Sequence, residues 1–331
     1  MSGLRVAIVM GGPSAEAEVS RVSAAGVRDA LGRSGHEVWL VELDAQTPAA
    51  LAGDAPDVVF PVVHGALGED GCLQGLLEVM ALPYVGSGVA ASALAADKLL
   101  AKALFRAAGL PVATEATVAR GEDLARAASR VRSALGPAVV IKPHAQGSAI
   151  GVTRVGAEAG DDAVARALSI ALAIDEVALC ERFVRGREVT CGVLDAAALG
   201  LTRALPPTAI EARLGDFYDF RSRYAAGGSV HHCPADLPSD VAARVQAVAL
   251  GAHHALGCRD LSRADFIVGD GEDAGAVTLL EVNTIPGMTP TSLFPEAAAV
   301  AGVAMDRLVD GLVRSALARG PRRRVSAVPM P

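Results

Sequence analysis

The sequence predicts a multidomain protein, α/β over its first part and α+β beyond, and three observations carry that prediction. Short apolar runs alternate with helical segments from Leu4 to about residue 95, the pattern of a parallel sheet covered by helices. Further on, strands flank helices around glycine-punctuated loops, which reads as α+β. The length, 331 residues, suffices for two or three domains with a substantial core.

Leu4 to Met10 reads as the first strand, and Glu18 to Gly35 as a helix ended near Gly32 to Gly35. Val38 to Leu43 and Asp57 to Val63 are the next strands. A helix from about Gly71 to Met80, then Tyr84-Val85-Gly86, completes a small α/β domain over residues 1–95. Asp97 to Ala108 is a linking helix, stopped by Gly109 with Pro111 beyond. Thr114 to Thr117 and Ala138 to Pro143 are strands around a helix from about Gly121 to Leu135, in a central unit of residues 96–180. The last large unit is 181–319, and the remaining strand candidates begin with Val177 to Glu181, at its border, and Glu188 to Val193. It continues through a polar loop from Leu214 to Ser229, a helix from Ser239 to Leu256 and strands at Ala264 to Val268 and Val277 to Val282. A loop of that length is more often functional than accidental. The segment 320–331, with Arg322-Arg323-Arg324 and its prolines, reads as a frayed end.

Composition narrows the functional classes. Aromatic residues are 3% of the chain, so the core must rest on Ala, Val and Leu. A net charge of −7 without a large basic cluster argues against nucleic-acid binding. No run approaches a membrane span despite a mean hydropathy of +0.37, which reflects Ala and Val. The opening run Val6 to Met10 leads straight into Gly11-Gly12-Pro13, which suits a buried strand rather than a secretory signal. Cys72, Cys180, Cys191, Cys233 and Cys258 contain no CxxC pair and read as reduced, mostly packed residues of an intracellular protein.

Asp265, Glu281 and Asn283 form the strongest chemical signal. Glu281 and Asn283 are two apart and share a strand face, and Asp265 ends a neighbouring strand. Three hard oxygen ligands between apolar runs suit Mg²⁺ held with phosphate oxygens, although polar strand faces also occur without a ligand. Lys142, at the end of the run Ala138 to Ile141, is placed to reach a triphosphate or to guard a sheet edge. The small residues Gly147 to Gly151 suit a phosphate-binding backbone or a flexible hairpin. The Gly11-Gly12 pair and His64-Gly65, with Gly68-Glu69-Asp70-Gly71, lie beyond strand ends where ligands bind in α/β sheets; a plain turn and a helix cap at Asp70 fit the same residues. Glu181 and Glu188, seven apart across a break near Gly186, suit nucleotide contacts or simple exposure.

Taken in order, Gly11-Gly12-Pro13-Ser14-Ala15-Glu16 with Glu18-Val19-Ser20, His64-Gly65, Gly86-Ser87-Gly88, Asp97-Lys98, Lys142-Pro143, Gly147-Ser148, Tyr218-Asp219-Phe220, Glu281-Val282-Asn283-Thr284-Ile285-Pro286-Gly287-Met288-Thr289 and Ser292-Leu293-Phe294-Pro295 resemble the D-alanine–D-alanine ligases of the ATP-grasp superfamily. The resemblance spans roughly residues 4–315. It implies a three-domain ATP-grasp fold with a Rossmann-like parallel-sheet domain at the N-terminus. It also implies a cytoplasmic enzyme of peptidoglycan precursor synthesis, possessing D-alanine and ATP as substrates, a pair of Mg²⁺ or Mn²⁺ ions, and a homodimeric assembly.

Residue by residue, the resemblance puts Lys98, Lys142, Ser148, Arg223 and Arg263 near the ATP phosphates, Glu181 near adenine and Glu188 near ribose. Asp265, Glu281 and Asn283 would hold the metals. Glu16 would bind the ammonium of the first D-alanine, with His64 near its carboxylate. The Gly287 N–H would stabilise an oxyanion, Ser292 would bind the second carboxylate, and Ser148, Tyr224 and Glu16 would close the site beneath a lid over residues 214–229. Tyr224 there favours an amine as nucleophile. The chain departs from the family pattern at Ala17, where arginine is common, at Gln146 and Ala149, often glutamate and serine, and at Arg223, often lysine.

Overall fold

The structure, a computed structural model, describes residues 3–213, 227–289 and 291–321. The first sheet is parallel, with β1 (Arg5–Met10) between β2 (Glu37–Glu42) and β3 (Val58–Pro61). Val6, Ala7, Ile8 and Val9 are all fully buried, so β1 is covered on both faces and its uninterrupted apolar run is explained. The crossovers are α1 (Ala17–Arg33) and α2 (Thr47–Asp54). Ala24, Val27 and Leu31 of α1 recur at helical spacing on its buried face, and Gly35 follows with φ +85°. The segment Tyr84-Val85-Gly86, expected to complete this domain, joins the sheet through a single bridge from Tyr84 to Val59.

The central sheet is antiparallel, ordered β4 (Glu115–Ala119), β7 (Val177–Arg182), β5 (Val139–Pro143), β6 (Thr153–Val155). Two helices, α6 (Leu124–Leu135) and α7 (Asp161–Ile174), cover it with Val131, Leu135, Val164 and Leu168. The third sheet runs β11 (Ser229–His232), β10 (Thr208–Ala212), β8 (Gly186–Ala196), β12 (Asp260–Gly269), β13 (Val277–Asn283), with β9 (Leu201–Ala204) also on β8. The chain passes from the central to the third sheet across Phe183 to Arg185. A Cβ at Gly186 would stand 2.2 Å from the Val268 carbonyl oxygen, so the strand can restart there only on glycine.

Helices from several parts of the chain pack on the third sheet. α3 (Cys72–Val79) belongs with the first sheet, whereas α4 (Val89–Ala96), which runs across residue 95, and α5 (Lys98–Ala107) send Ala91, Ala95, Ala101 and Phe105 into one core with Cys191, Phe266 and the helix Ser239–Leu256. A second core joins Ile8 and Phe60 of the first sheet, and Leu31 of α1, to Leu194, Leu261, Phe294 and Leu312. The first and third sheets are therefore packed together through side chains from both ends of the chain.

Several elements were absent from the expectations. Helix α7 leaves Ile170 and Ile174 exposed, so its apolar residues do not form one clean stripe. Strands β6 and β9 to β11 are three to five residues long, too few for alternation to register. The helix Met305–Arg319 does carry a legible stripe in Leu308, Val309, Leu312, Val313 and Ala316. Cys180, Cys191 and Cys258 are buried, Cys233 is half-buried and Cys72 is exposed. Among the described residues no helix is long and apolar enough to cross a membrane.

Candidate active site

Strands β12 and β13 build one wall. On β12, Ala264, Phe266 and Val268 are buried while Arg263, Asp265 and Ile267 are half-buried, so the period of two turns the charged pair to the site. Cross-strand pairing sets Asp265 opposite Glu281 and Arg263 opposite Asn283, with Leu280 as the extra residue of an irregularity after Asp265. Asp265 thus lies mid-strand rather than at a strand end as expected, because β12 begins at Asp260. Arg263 holds it with two hydrogen bonds of 2.9 Å, and the Thr190 hydroxyl of β8 donates to it at 2.7 Å. Glu281 is paired with Lys98 at 3.1 Å. The Asn283 side-chain oxygen accepts the Ile285 N–H at 2.9 Å, turning the chain out of β13.

Two lysines and a glycine-rich loop form the opposite wall. Lys98 opens α5, whose Asp97 cap accepts the N–H groups of Leu99 and Leu100, and its Nζ also donates to the Gln146 carbonyl at 2.6 Å. Lys142, on β5, pairs with Glu181 of β7 at 2.6 Å. In the intervening loop Ser148 and Ala149 have φ +52° and +56°, and Gly151 +72°. Two successive side-chain-bearing residues in the left-handed region cost about 1–2 kcal/mol each, so this loop keeps its shape only because its surroundings hold it. One such contact is the hydrogen bond that the Ser148 hydroxyl donates to the Glu16 carboxylate.

Glu16 precedes α1, and its N–H donates to the Ser14 hydroxyl, which in turn donates to the His64 carbonyl at 2.7 Å. His64 is buried and its Nε2 has no hydrogen-bond partner among the described residues. Burial lowers its pKa; the Glu16 carboxylate opposes this and the Arg263 guanidinium adds to it. Asp70 accepts the N–H groups of Leu67 and Cys72 at the start of α3, so the capping alternative holds for that residue.

Glu69 is the side chain that the sequence argument missed. Its carboxylate accepts the Gly65 N–H at 2.6 Å, and burial, with Glu16 as the next cause, pushes its pKa up to about 8. Although the residue as a whole keeps some exposure, its carboxyl group lies within electrostatic range of Glu16, Arg263 and Glu281. The signal was present in Gly68-Glu69-Asp70-Gly71 beyond the third strand, but two adjacent carboxylates gave no reason to prefer the first.

The loop after β13 brings two more residues together. A Cβ at Gly287 would stand 2.9 Å from the Ser292 hydroxyl, which accepts the Thr289 N–H at 3.0 Å. Glu188 is half-buried on β8, opposite Ile210 and Ile267, and so lies on the third sheet while Glu181 lies on the central one. At the Ala17 departure the charge is supplied one turn on: Arg21 pairs with Glu18 and Glu42. Arg223, Tyr224 and Tyr218 to Phe220 lie outside the described residues. A cavity of about 250 Å³ lined by Gly88, Ala91, Leu256 and Arg259 contains none of these side chains.

Comparison with known proteins places this geometry. Residues 104–314 match the model of the D-ala D-ala ligase C-terminus, and residues 48–87 that of the N-terminus. The D-alanine–D-alanine ligase of Gluconobacter oxydans is 45% identical over 319 residues, covering 96% of this chain and 100% of that protein. The chain belongs to the D-alanine–D-alanine ligase family. The corresponding ligase of Geobacter sulfurreducens is 42% identical, with 94% of each protein covered. Among solved structures of the family, that from Coxiella burnetii superposes with a TM-score of 0.80 at 27% identity, covering 96% of this chain and 95% of that one. The Bacillus anthracis ligase complexed with ATP gives 0.79, also at 27% identity, covering 96% and 98%. The fold is accordingly the family's multidomain ATP-grasp fold with its N-terminal parallel sheet.

The family assignment makes the donor chemistry of the β12–β13 wall testable. Two carboxylates and a carboxamide on one half-buried face are hard oxygen donors that fit Mg²⁺ or Mn²⁺ bound together with phosphate. Among the described residues no three His, Cys, Asp or Glu side chains gather by themselves, so the set depends on Asn283. Arg263 and Lys98 neutralise the two carboxylates in the structure.

Proposed function

We propose that the protein joins two molecules of D-alanine to D-alanyl-D-alanine, converting ATP to ADP and phosphate, in the cytoplasmic synthesis of peptidoglycan precursors. The observation that carries the reading is the hydrogen bond from Ser148, in the loop after β5, to Glu16, 132 residues earlier beside the first sheet, within a chain of this family. That contact brings the proposed phosphate loop against the proposed first-substrate site.

The carboxylate of the first D-alanine attacks the γ-phosphorus of ATP. The products are D-alanyl phosphate and ADP, and a poor acyl group has become a reactive one. The amine of the second D-alanine, having lost its proton, attacks the acyl carbon; the C–N bond forms, the C–O bond to phosphate breaks, and phosphate leaves. A free acyl phosphate hydrolyses, so the site must exclude water while both steps occur.

The residues supply position and charge. Glu16 receives the first ammonium group and His64 lies at its carboxylate. Lys98, Lys142 and Arg263, with Arg223, neutralise phosphate charge, and Lys142 and Arg263 do so by exchanging their present partners, Glu181 and Asp265, for phosphate. The Gly287 N–H faces the oxyanion, Ser292 holds the second carboxylate, and Ser148 with Tyr224 and Glu16 closes the site. Glu181 and Glu188 take adenine and ribose across the junction of the central and third sheets. Asp265, Glu281 and Asn283 would hold Mg²⁺ or Mn²⁺, whose bound charge would offset that of the transferring phosphoryl group. Units 1–95, 96–180 and 181–319, and a homodimer, belong to the same reading.

The test is product analysis by mass spectrometry after incubation with Mg-ATP and D-alanine, with D-serine and D-lactate offered in separate reactions. D-Alanyl-D-alanine formed with equal amounts of ADP and phosphate is expected. A mixed product with D-serine or D-lactate in preference, or ATP binding without dipeptide, overturns the assignment.

A further inference from the structure

Glu115 and Glu181 stand directly opposite each other on β4 and β7, so two carboxylates share one face of the central sheet. Like charges in that position repel. The cation between them is Lys102, in the middle of α5, which has no exposed surface. Its Nζ donates to one oxygen of Glu181 and lies 3.1 Å from Glu115. Arg106, one turn further along α5, takes the other side of Glu115. The second oxygen of Glu181 is taken by Lys142 at 2.6 Å.

Glu181 therefore has two lysine partners with different freedom. Lys142 sits on the strand that leads into the loop at Ser148, where the proposed phosphate contacts lie, and it can exchange Glu181 for phosphate. Lys102 is sealed beneath the sheet and can reach no ligand. When Lys142 turns away, Lys102 is the one cation still bonded to Glu181 among the contacts found there.

We propose that Lys102 is a positioning residue for nucleotide recognition: it keeps Glu181 a carboxylate, with one oxygen open to accept the exocyclic amino group of adenine, and so sets the preference for adenine over a 6-oxo purine. The inference rests on the reading of Glu181 as the adenine contact and adds the group that makes the contact selective. A carboxylate only accepts hydrogen bonds, which matches the 6-amino group of adenine and opposes the 6-oxo group of guanine. A protonated carboxyl also donates, and serves guanine as well. Burial by itself favours the protonated form; the two lysines outweigh it and hold Glu181 below the usual carboxylate range. Lys102 is the partner that remains to do so once phosphate is bound.

The test uses the full chain and compares ATP with GTP by titration calorimetry and by steady-state kinetics in Lys102→Met, Lys102→Arg and Glu181→Gln. Lys102→Met is expected to weaken ATP binding about tenfold or more, the loss of a charge-assisted hydrogen-bond partner. GTP should weaken far less, so the ATP/GTP ratio falls, while the KM for D-alanine stays at its wild-type value. Lys102→Arg restores most of the ratio. Should Lys102→Met fail to fold, Lys102→Met with Glu115→Gln removes the carboxylate left facing Glu181 and serves the same comparison. A wild-type ATP Kd and ATP/GTP ratio in Lys102→Met, alone or with Glu115→Gln, or a fall in kcat with neither changed, overturns the inference while Glu181→Gln still alters both. If Glu181→Gln alters neither, the adenine contact itself is wrong and the inference falls with it.

Discussion

Glu181 and Glu281 both face the site from strands and both are paired with lysine, yet their side chains are 4% and 25% exposed. Glu181 lies between Lys102 and Lys142 on the central sheet, out of reach of water. Glu281 lies on the third sheet beside Asp265, and its partner Lys98 is shared with the Gln146 carbonyl. Removing a partner from a sealed pair leaves a charge that nothing else can solvate, whereas a half-exposed pair can exchange its partner for a metal ion or a phosphate while water covers the interval. The contact of Lys102 with Glu181 is therefore fixed by the fold, whereas the pairing of Lys98 with Glu281 is exposed enough to be exchanged.

The contrast is broken most easily at its sealed end. Lys102→Met should lower folding stability by about 3–5 kcal/mol, as when one member of a buried pair is removed; a thermal midpoint equal to that of the wild type would show that Glu181 is not sealed. At the exchangeable end Glu281→Gln should leave the thermal midpoint nearly unchanged and reduce turnover at limiting Mg²⁺ by about 100-fold, the scale of losing a metal-site contact. Normal turnover there would remove Glu281 from the ligand set. Ser148→Ala, which deletes the bond to Glu16, should reduce kcat/KM for the first D-alanine by about tenfold. Unchanged kinetics would detach the proposed phosphate loop from the proposed first-substrate site.

The smallest effect concerns Glu69. Its carboxyl is raised from 4.5 to about 8 by burial and by Glu16. As pH rises past 4.5 the unfolded chain releases this proton while the folded chain keeps it, so the group subtracts stability progressively until about pH 8, above which the loss is constant. Glu69→Gln should therefore gain thermal stability relative to the wild type as pH rises through that window. A difference between the two proteins that does not vary with pH would place the Glu69 carboxyl in water.

Much of this was legible along the chain. The helix Ser239–Leu256 has the bounds its periodicity predicts, and the expected strands of the first sheet are present within a residue or two at each end. Glu281 and Asn283 share a face because the strand period is two, and Lys142 sits near the end of β5 as its apolar run implies. The motif order identified the family and, with it, the chemistry.

What the sequence by itself determined, then, is which face each residue occupies and what kind of element carries it, because periodicity and turn chemistry act over a few neighbouring residues. Only the tertiary structure decided which faces meet. Asp265 stands opposite Glu281 through the register of two strands and a one-residue irregularity that no local pattern encodes. Lys102 reads as an ordinary helix lysine until β4 and β7 bring Glu115 and Glu181 over it, and Ser148 reaches Glu16 only when segments 132 residues apart close on each other. Such contacts depend on long-range packing, where burial removes water and turns a common charged residue into a fixed part of the site.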